Sequence, residues 1–196
     1  MSGILYGVGL GPGDPKLLTL KAVEILKKAR TVAVPDAGGE NTALRIAAEY
    51  IEGREILRCP MPMTRDRRAL AESRGKSAEI ICERLEKGGD VAFITLGDPS
   101  VYSTYMYLHR LVRARGYETR MIPGVPSFCA AAAALGVSLC DGGQALHIIP
   151  ASYADTDALL RQKGNFVLMK SGKELPAVRG ALRRAGLYGK ARMAER

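Results

Sequence analysis

Gly7-Val8-Gly9-Leu10-Gly11-Pro12-Gly13-Asp14-Pro15 runs directly off a short apolar segment, and its reading decides the fold. An apolar run that breaks into glycines and then an Asp-Pro pair is a strand-to-helix turn. Glycine reaches positive φ and leaves no Cβ between backbone and ligand. A dinucleotide-binding turn spaces its glycines as G-x-G-x-x-G and aims amide N–H groups at a pyrophosphate. Here glycine occupies every second position, and Pro12 has no N–H to donate. Asp14 stands where the next helix is expected to start, at the dipole end that a phosphate would otherwise use. Two readings stay open on this stretch alone. One is close approach of a ligand other than a phosphate; the other is a tight turn with Asp14 as N-cap and Pro15 as first helical residue.

Outward from this turn, strand and helix signals alternate. Apolar runs predict strands over Ile4–Leu10, Thr31–Pro35, Glu55–Arg58, Val91–Leu96, Tyr117–Ile122, Ala145–Ile149 and Asn165–Met169. Helical spacing predicts Pro15–Ala29, with Leu18, Ala22, Ile25 and Ala29 on one face, and a helix capped at Asn41 or Thr42 that runs to Tyr50. It further predicts Leu70–Glu86, Ser103–Arg115, Ser127–Leu135, Thr156–Gln162 and Glu174–Ala185. Such alternation is α/β, with parallel sheets and βαβ connections. Pro123-Gly124-Val125-Pro126 is a cluster of breakers and marks a boundary between an N-terminal domain, 1–122, and a C-terminal one, 123–196. Ligands of open α/β sheets sit beyond the carboxyl ends of the strands. That rule selects Gly9–Asp14, Pro35-Asp36, Leu96–Ser103 and the loop at Met169-Lys170-Ser171.

With 196 residues, 47% hydrophobic and 25% charged, the composition is that of a soluble globular protein. The start reads directly as a strand, with no basic n-region or cleavage site, so a cytoplasmic protein is expected. Cys59, Cys82, Cys129 and Cys140 form no C-x-x-C pair, and only His109 and His147 accompany them; no metal site and mostly buried, reduced thiols are expected. A net charge of +9 suits an anionic partner.

Asp98 ends the most apolar strand, where a lone carboxylate needs partners. Contact with a ligand is the favoured reading, over an N-cap for the following helix. Asp36 lies where a dinucleotide-binding acid would hold a ribose, against which stands the glycine spacing. Arg65, Arg67 and Arg68 cluster where guanidinium forks can meet carboxylates, or where a helix simply starts in solvent. Tyr102, Tyr105 and Tyr107 fall on different faces of one helix, which argues against a stacking platform for nucleic acid. No nucleophile elbow, Walker A lysine or H-E-x-x-H is present.

Taken together, the stretch from Gly7 to Lys21, Thr95-Leu96-Gly97-Asp98-Pro99-Ser100-Val101-Tyr102-Ser103, and Pro123-Gly124-Val125-Pro126-Ser127-Phe128 resemble the tetrapyrrole methylase family. The loop Pro60-Met61-Pro62-Met63-Thr64-Arg65-Asp66 is similar to the branch that methylates C-20 of precorrin-2 or its cobalt-bearing counterpart. The resemblance implies two αβα domains with S-adenosylmethionine in the cleft between them. It implies donor contacts at Pro12, Leu96, Gly97, Asp98, Val101, Ser103, Thr104, Ser127, Phe128 and Met169. It further implies a polycarboxylate tetrapyrrole held by Arg65, Arg67 and Arg68, a homodimer, and no membrane association. Asp36 aligns only approximately with an acid proposed as a base in some relatives. One or two further strands follow the last helix in the family, so the C-terminal domain is expected to lack its last strands at Arg196.

The expected activity is methyl transfer to a tetrapyrrole in cobalamin biosynthesis. Methylation of uroporphyrinogen III or of RNA ribose is the alternative within the family. An NAD-binding oxidoreductase and a non-catalytic ligand-binding module are the alternatives of other classes.

Overall fold

The computed structural model describes residues 2–36, 38, 41–64 and 66–195. They form two compact units, Met1–Pro126 and Ser127–Arg196, and each has its own parallel sheet.

In the first unit, β1 (Leu5–Gly9), β2 (Thr31–Asp36), β3 (Glu55–Pro60), β4 (Val91–Thr95) and β5 (Thr119–Ile122) lie in the order β3-β2-β4-β1-β5, all parallel. Parallel neighbours need crossovers. The helices α1 (Leu20–Lys28), α2 (Thr42–Ala47), α3 (Arg67–Glu86) and α4 (Tyr105–Ala114) supply them. Side chains alternate across each strand, and the alternation divides the core in two. Tyr6, Val8, Val32, Val34, Ala92 and Ile94 are covered by Ala22, Ile25 and Leu26 of α1 and by Ala43, Ile46 and Ala47 of α2. Leu5, Ala33, Val91 and Phe93 meet Ala78, Ile81 and Leu85 of α3 and Tyr105, Leu108 and Val112 of α4. β1 and β4 are buried along their whole length, which is why they read as unbroken apolar runs. The helices after β1 and β2 thus cover one face, and those after β3 and β4 the other. The change of face falls between β1 and β4, so their carboxyl ends frame the crevice where such sheets bind ligands.

In the second unit, β6 (Leu146–Pro150) and β7 (Asn165–Met169) pair in parallel, and the helices are α5 (Ser127–Leu135), α6 (Thr156–Leu159) and α7 (Leu175–Arg184). Arg184 grips Asp157 through two hydrogen bonds of 2.9 and 2.8 Å, joining α7 to α6 and holding the Asp157 carboxyl below its usual range.

Three elements differ most from the sequence-based expectation. The helix expected from Pro15 is interrupted: a short 3-10 turn covers Pro15–Leu17, Leu18 is extended, and α1 starts only at Leu20. Thr19 causes the restart, because its Oγ1 accepts from Ala22 N at 3.1 Å and donates to Pro123 O at 3.3 Å. β3 runs on through Cys59 and Pro60, and α3 starts at Arg67, capped by Asp66. The thiols are all free, but only Cys59 and Cys82 are buried; Cys129 and Cys140 are exposed, against the expectation of mostly buried thiols.

His109 closes a polar network under α4. The Tyr105 hydroxyl donates to Arg120 O at 2.8 Å, so His109 Nδ1, 3.2 Å from that oxygen, acts as donor to it. Nε2 then lies 3.5 Å from the Thr119 hydroxyl, in an accepting role. Burial, with Arg113 and Arg110 nearby, lowers the His109 pKa below 6.5. The unfolded chain therefore binds a proton more readily, and this group removes stability as pH falls through about 6.5. Urea midpoints of wild type and His109→Asn are expected to converge between pH 7.5 and pH 5. A constant difference across that range would contradict a neutral His109.

Candidate active site

Three loops leave the carboxyl ends of three adjacent strands, β4, β1 and β5. Leu10 N donates to Thr95 O at 2.9 Å. Gly97 N donates to Gly11 O at 2.8 Å, and Gly11 N donates to Gly97 O at 3.3 Å. Gly124 N donates to Asp98 Oδ2 at 3.0 Å. A Cβ on Gly9 would stand 2.6 Å from Gly124 N and 2.7 Å from Gly97 O; one on Gly124 would stand 2.3 Å from Gly97 O. The three backbones touch where a side chain would stand. Gly97 is a glycine for a second reason: its φ is +68°, and open space lies where its Cβ would point. Gly7 serves neither purpose, since it makes room for the buried ring of Tyr105, 2.2 Å from where a Cβ would be.

Asp98 is the knot of this arrangement. Its Oδ1 accepts from Ser100 N at 2.8 Å and Ser100 Oγ at 2.5 Å, while Oδ2 takes the Gly124 amide. The carboxylate thus orders two loops and does not cap α4. Ser103 is tied inward, 2.9 Å from Thr95 Oγ1 and accepting from Tyr105 N at 3.2 Å. Thr104 takes the N-cap position of α4 without a side-chain capping bond and is exposed. Leu96 is 48% exposed although it follows a fully buried strand, and Val101 is half-buried. Tyr102 sits at φ +49°, a left-handed conformation that is uncommon for an aromatic residue. Pro12 is half-buried between Gly11 and Gly13, both at positive φ. Asp14 caps the short turn before α1 by accepting from Lys16 N at 2.9 Å, so it is not at the start of α1 as the sequence suggested. Thr19 holds that place and was missed.

The remaining expected residues belong to other elements. Asp36 ends β2, accepts from Gly38 N at 3.1 Å and faces the Arg58 guanidinium at 4.0 Å. Arg67 and Arg68 occupy the exposed first turn of α3, and Arg68 pairs with Glu72 at 3.0 Å. Arg65 lies outside the described residues. In the second unit, Ser127 and Phe128 open α5, and Met169 ends β7 just before Lys170 at φ +56°. Among the described residues no three metal-ligating side chains cluster, and no helix is long and apolar enough to cross a membrane.

The contact of Gly9, Gly97 and Gly124 sets a measurable order of effects. Gly97→Ala is expected to cost about 1 kcal/mol of stability, the strain of a left-handed Cβ in open space. Gly124→Ala is expected to cost about 3 kcal/mol, because three backbones must separate. Urea denaturation distinguishes the two, and equal costs would mean that the loops are not in rigid contact.

The profile of the tetrapyrrole (corrin/porphyrin) methylases matches residues 4–194. The chain is 37% identical over 169 residues to a probable cobalt-precorrin-2 C(20)-methyltransferase of Methanocaldococcus jannaschii, which covers 85% of this chain and 72% of that protein. It is 31% identical over 212 residues to the precorrin-2 C(20)-methyltransferase of a Sinorhizobium species, covering 100% of this chain and 86% of the relative. Among solved structures, a cobalt precorrin-4 methyltransferase superposes with a TM-score of 0.72 at 26% identity, over 93% of this chain and 75% of that one. The parallel sheet, its glycine-locked carboxyl edge and these likenesses agree: the chain belongs to the tetrapyrrole methylases.

Proposed function

We propose that this protein transfers a methyl group from S-adenosylmethionine to C-20 of precorrin-2 or its cobalt-bearing counterpart, within cobalamin biosynthesis. The observation that carries the reading is the likeness, over most of the chain, to C(20)-methyltransferases at 37% and 31% identity.

The carboxyl edge fits such a donor better than a dinucleotide. Pro12 presents no N–H, and α1 starts well beyond the glycine loop, so no helix N-terminus is aimed at a pyrophosphate. What the edge offers is bare backbone, the open flank of Gly97 and the exposed Leu96. Bound there, the donor supplies an electrophilic methyl carbon. Pro12, Leu96, Gly97 and Val101 are proposed to hold it by shape. Asp98 keeps the loops after β4 and β5 in place, Thr104 offers a hydroxyl, and Ser103 is proposed to act through its bonds to Thr95 and Tyr105 N. Ser127, Phe128 and Met169 are proposed donor contacts of the second unit, on the resemblance.

A meso carbon of the tetrapyrrole is already electron-rich, so the protein's work is orientation and the exclusion of water. Asp36 is the carboxylate proposed to accept the displaced proton where water does not. Arg65, Arg67 and Arg68 are proposed to meet substrate carboxylates, in keeping with the net charge of +9. A cytoplasmic homodimer is proposed on the same resemblance.

Isothermal titration is expected to show micromolar binding of S-adenosylmethionine and its demethylated product and none of NAD; the reverse pattern would overturn the assignment. Arg67→Ala is expected to raise the KM for the tetrapyrrole more than Arg68→Ala, because Glu72 already partners Arg68. Initial rates against precorrin-2 and cobalt-precorrin-2 check this order.

A further inference from the structure

α3 has 20 residues and is about 30 Å long. The strands it packs on have five or six residues, roughly 17–20 Å. One end of the helix must overhang the sheet. Two hydrogen bonds identify it: Ser73 Oγ and Ser77 Oγ donate to the carbonyl of Pro60, the last residue of β3, at 2.5 and 3.1 Å. Residues 67–72 therefore project past the carboxyl edge, and Arg74 is level with it.

Positions 67, 74, 78, 81 and 85 share one stripe of the helix. Over the sheet that stripe is Ala78, Ile81 and Leu85, all fully buried. At the edge and beyond it becomes Arg74 and Arg67. The stripe that faces the core turns basic at the level where the ligand crevice begins.

Arg74 is also fixed in place. Its guanidinium lies 3.5 Å over the ring centroid of Tyr107, in the first turn of α4, and Tyr107 remains 42% exposed. A stacked guanidinium keeps its in-plane N–H donors free for a carboxylate, which it grips with two parallel hydrogen bonds. Arg58, Arg68, Arg84 and Arg120 already have Asp36, Glu72, Glu55 and Glu118 as partners. Arg74 has no salt-bridge partner among the described residues.

We propose that Arg74, held flat by Tyr107, binds a peripheral carboxylate of the tetrapyrrole at the sheet edge. The proposal rests on the methyltransferase reading above. Stacking limits the freedom that binding removes from a long side chain. The contact is with the rim of the substrate and not with the reacting carbon, so its loss acts on binding.

The test uses the full chain and three readouts: initial rates with the tetrapyrrole substrate, fluorescence titration with uroporphyrin, and calorimetric titration with S-adenosylhomocysteine. Arg74→Gln is expected to raise both KM and the uroporphyrin Kd on the order of tenfold. Its kcat and its affinity for S-adenosylhomocysteine should stay at wild-type values. Arg74→Lys should recover part of the loss, Tyr107→Phe should match wild type, and Tyr107→Leu should move toward Arg74→Gln. Wild-type KM and Kd in Arg74→Gln would overturn the proposal alone. So would a parallel loss of S-adenosylhomocysteine binding, since that marks a structural role. A wild-type protein that binds S-adenosylhomocysteine but neither binds nor methylates any tetrapyrrole would overturn the methyltransferase reading, and this proposal with it.

Discussion

The site depends on a contact that no side chain could make. Gly9, Gly97 and Gly124 bring three strand-end backbones together at distances that exclude a Cβ on Gly9 or Gly124. Once they touch, the loops after β1, β4 and β5 cannot move independently, and Asp98 ties the last two with its carboxylate. The crevice at the change of face between β1 and β4 is therefore walled by main chain. Such a wall has little charge of its own and a fixed shape. It suits a reaction in which the substrate carbon is already nucleophilic and the donor already electrophilic, because position is then the protein's main contribution.

Charge enters from a different element. α3 is longer than the sheet beneath it; the overhanging turns carry Arg67 and Arg68, and Arg74 stands level with the edge. The same helix serves two environments. Its inner stripe is apolar where Phe93 and Leu57 require a core partner and basic where the sheet has ended. In the proposed reading the division between donor and acceptor chemistry follows this geometry: backbone loops for the former, an overhanging basic helix for the latter.

Much of this was legible in the sequence, and the gaps have physical causes. β1 and β4 could be read directly because burial on both faces leaves an unbroken apolar run. The glycines of the first loop were legible as points of close approach, but a glycine pattern does not say what approaches. Gly7 admits the Tyr105 ring and Gly9 admits other backbones. Thr19 was hidden because Asp14-Pro15 is the stronger local helix signal, whereas the bond that favours Thr19 comes from Pro123, far along the chain. Asp98 was legible as a carboxylate in need of partners, though one of them, Gly124, is 26 residues away. Tyr107 was set aside as a stacking residue because only its own helix was in view; its partner Arg74 stands on another. The available signal was the arginine that interrupts an otherwise apolar stripe at 78, 81 and 85.

The most direct test of the account is where the methyl group goes. Incubating the protein with precorrin-2 or cobalt-precorrin-2 and donor labelled with carbon-13 at the methyl, then reading the product by carbon NMR, locates the transfer on the ring. The account predicts a single new labelled methyl at C-20. Label at another ring position, or an unlabelled tetrapyrrole beside intact donor, would contradict it.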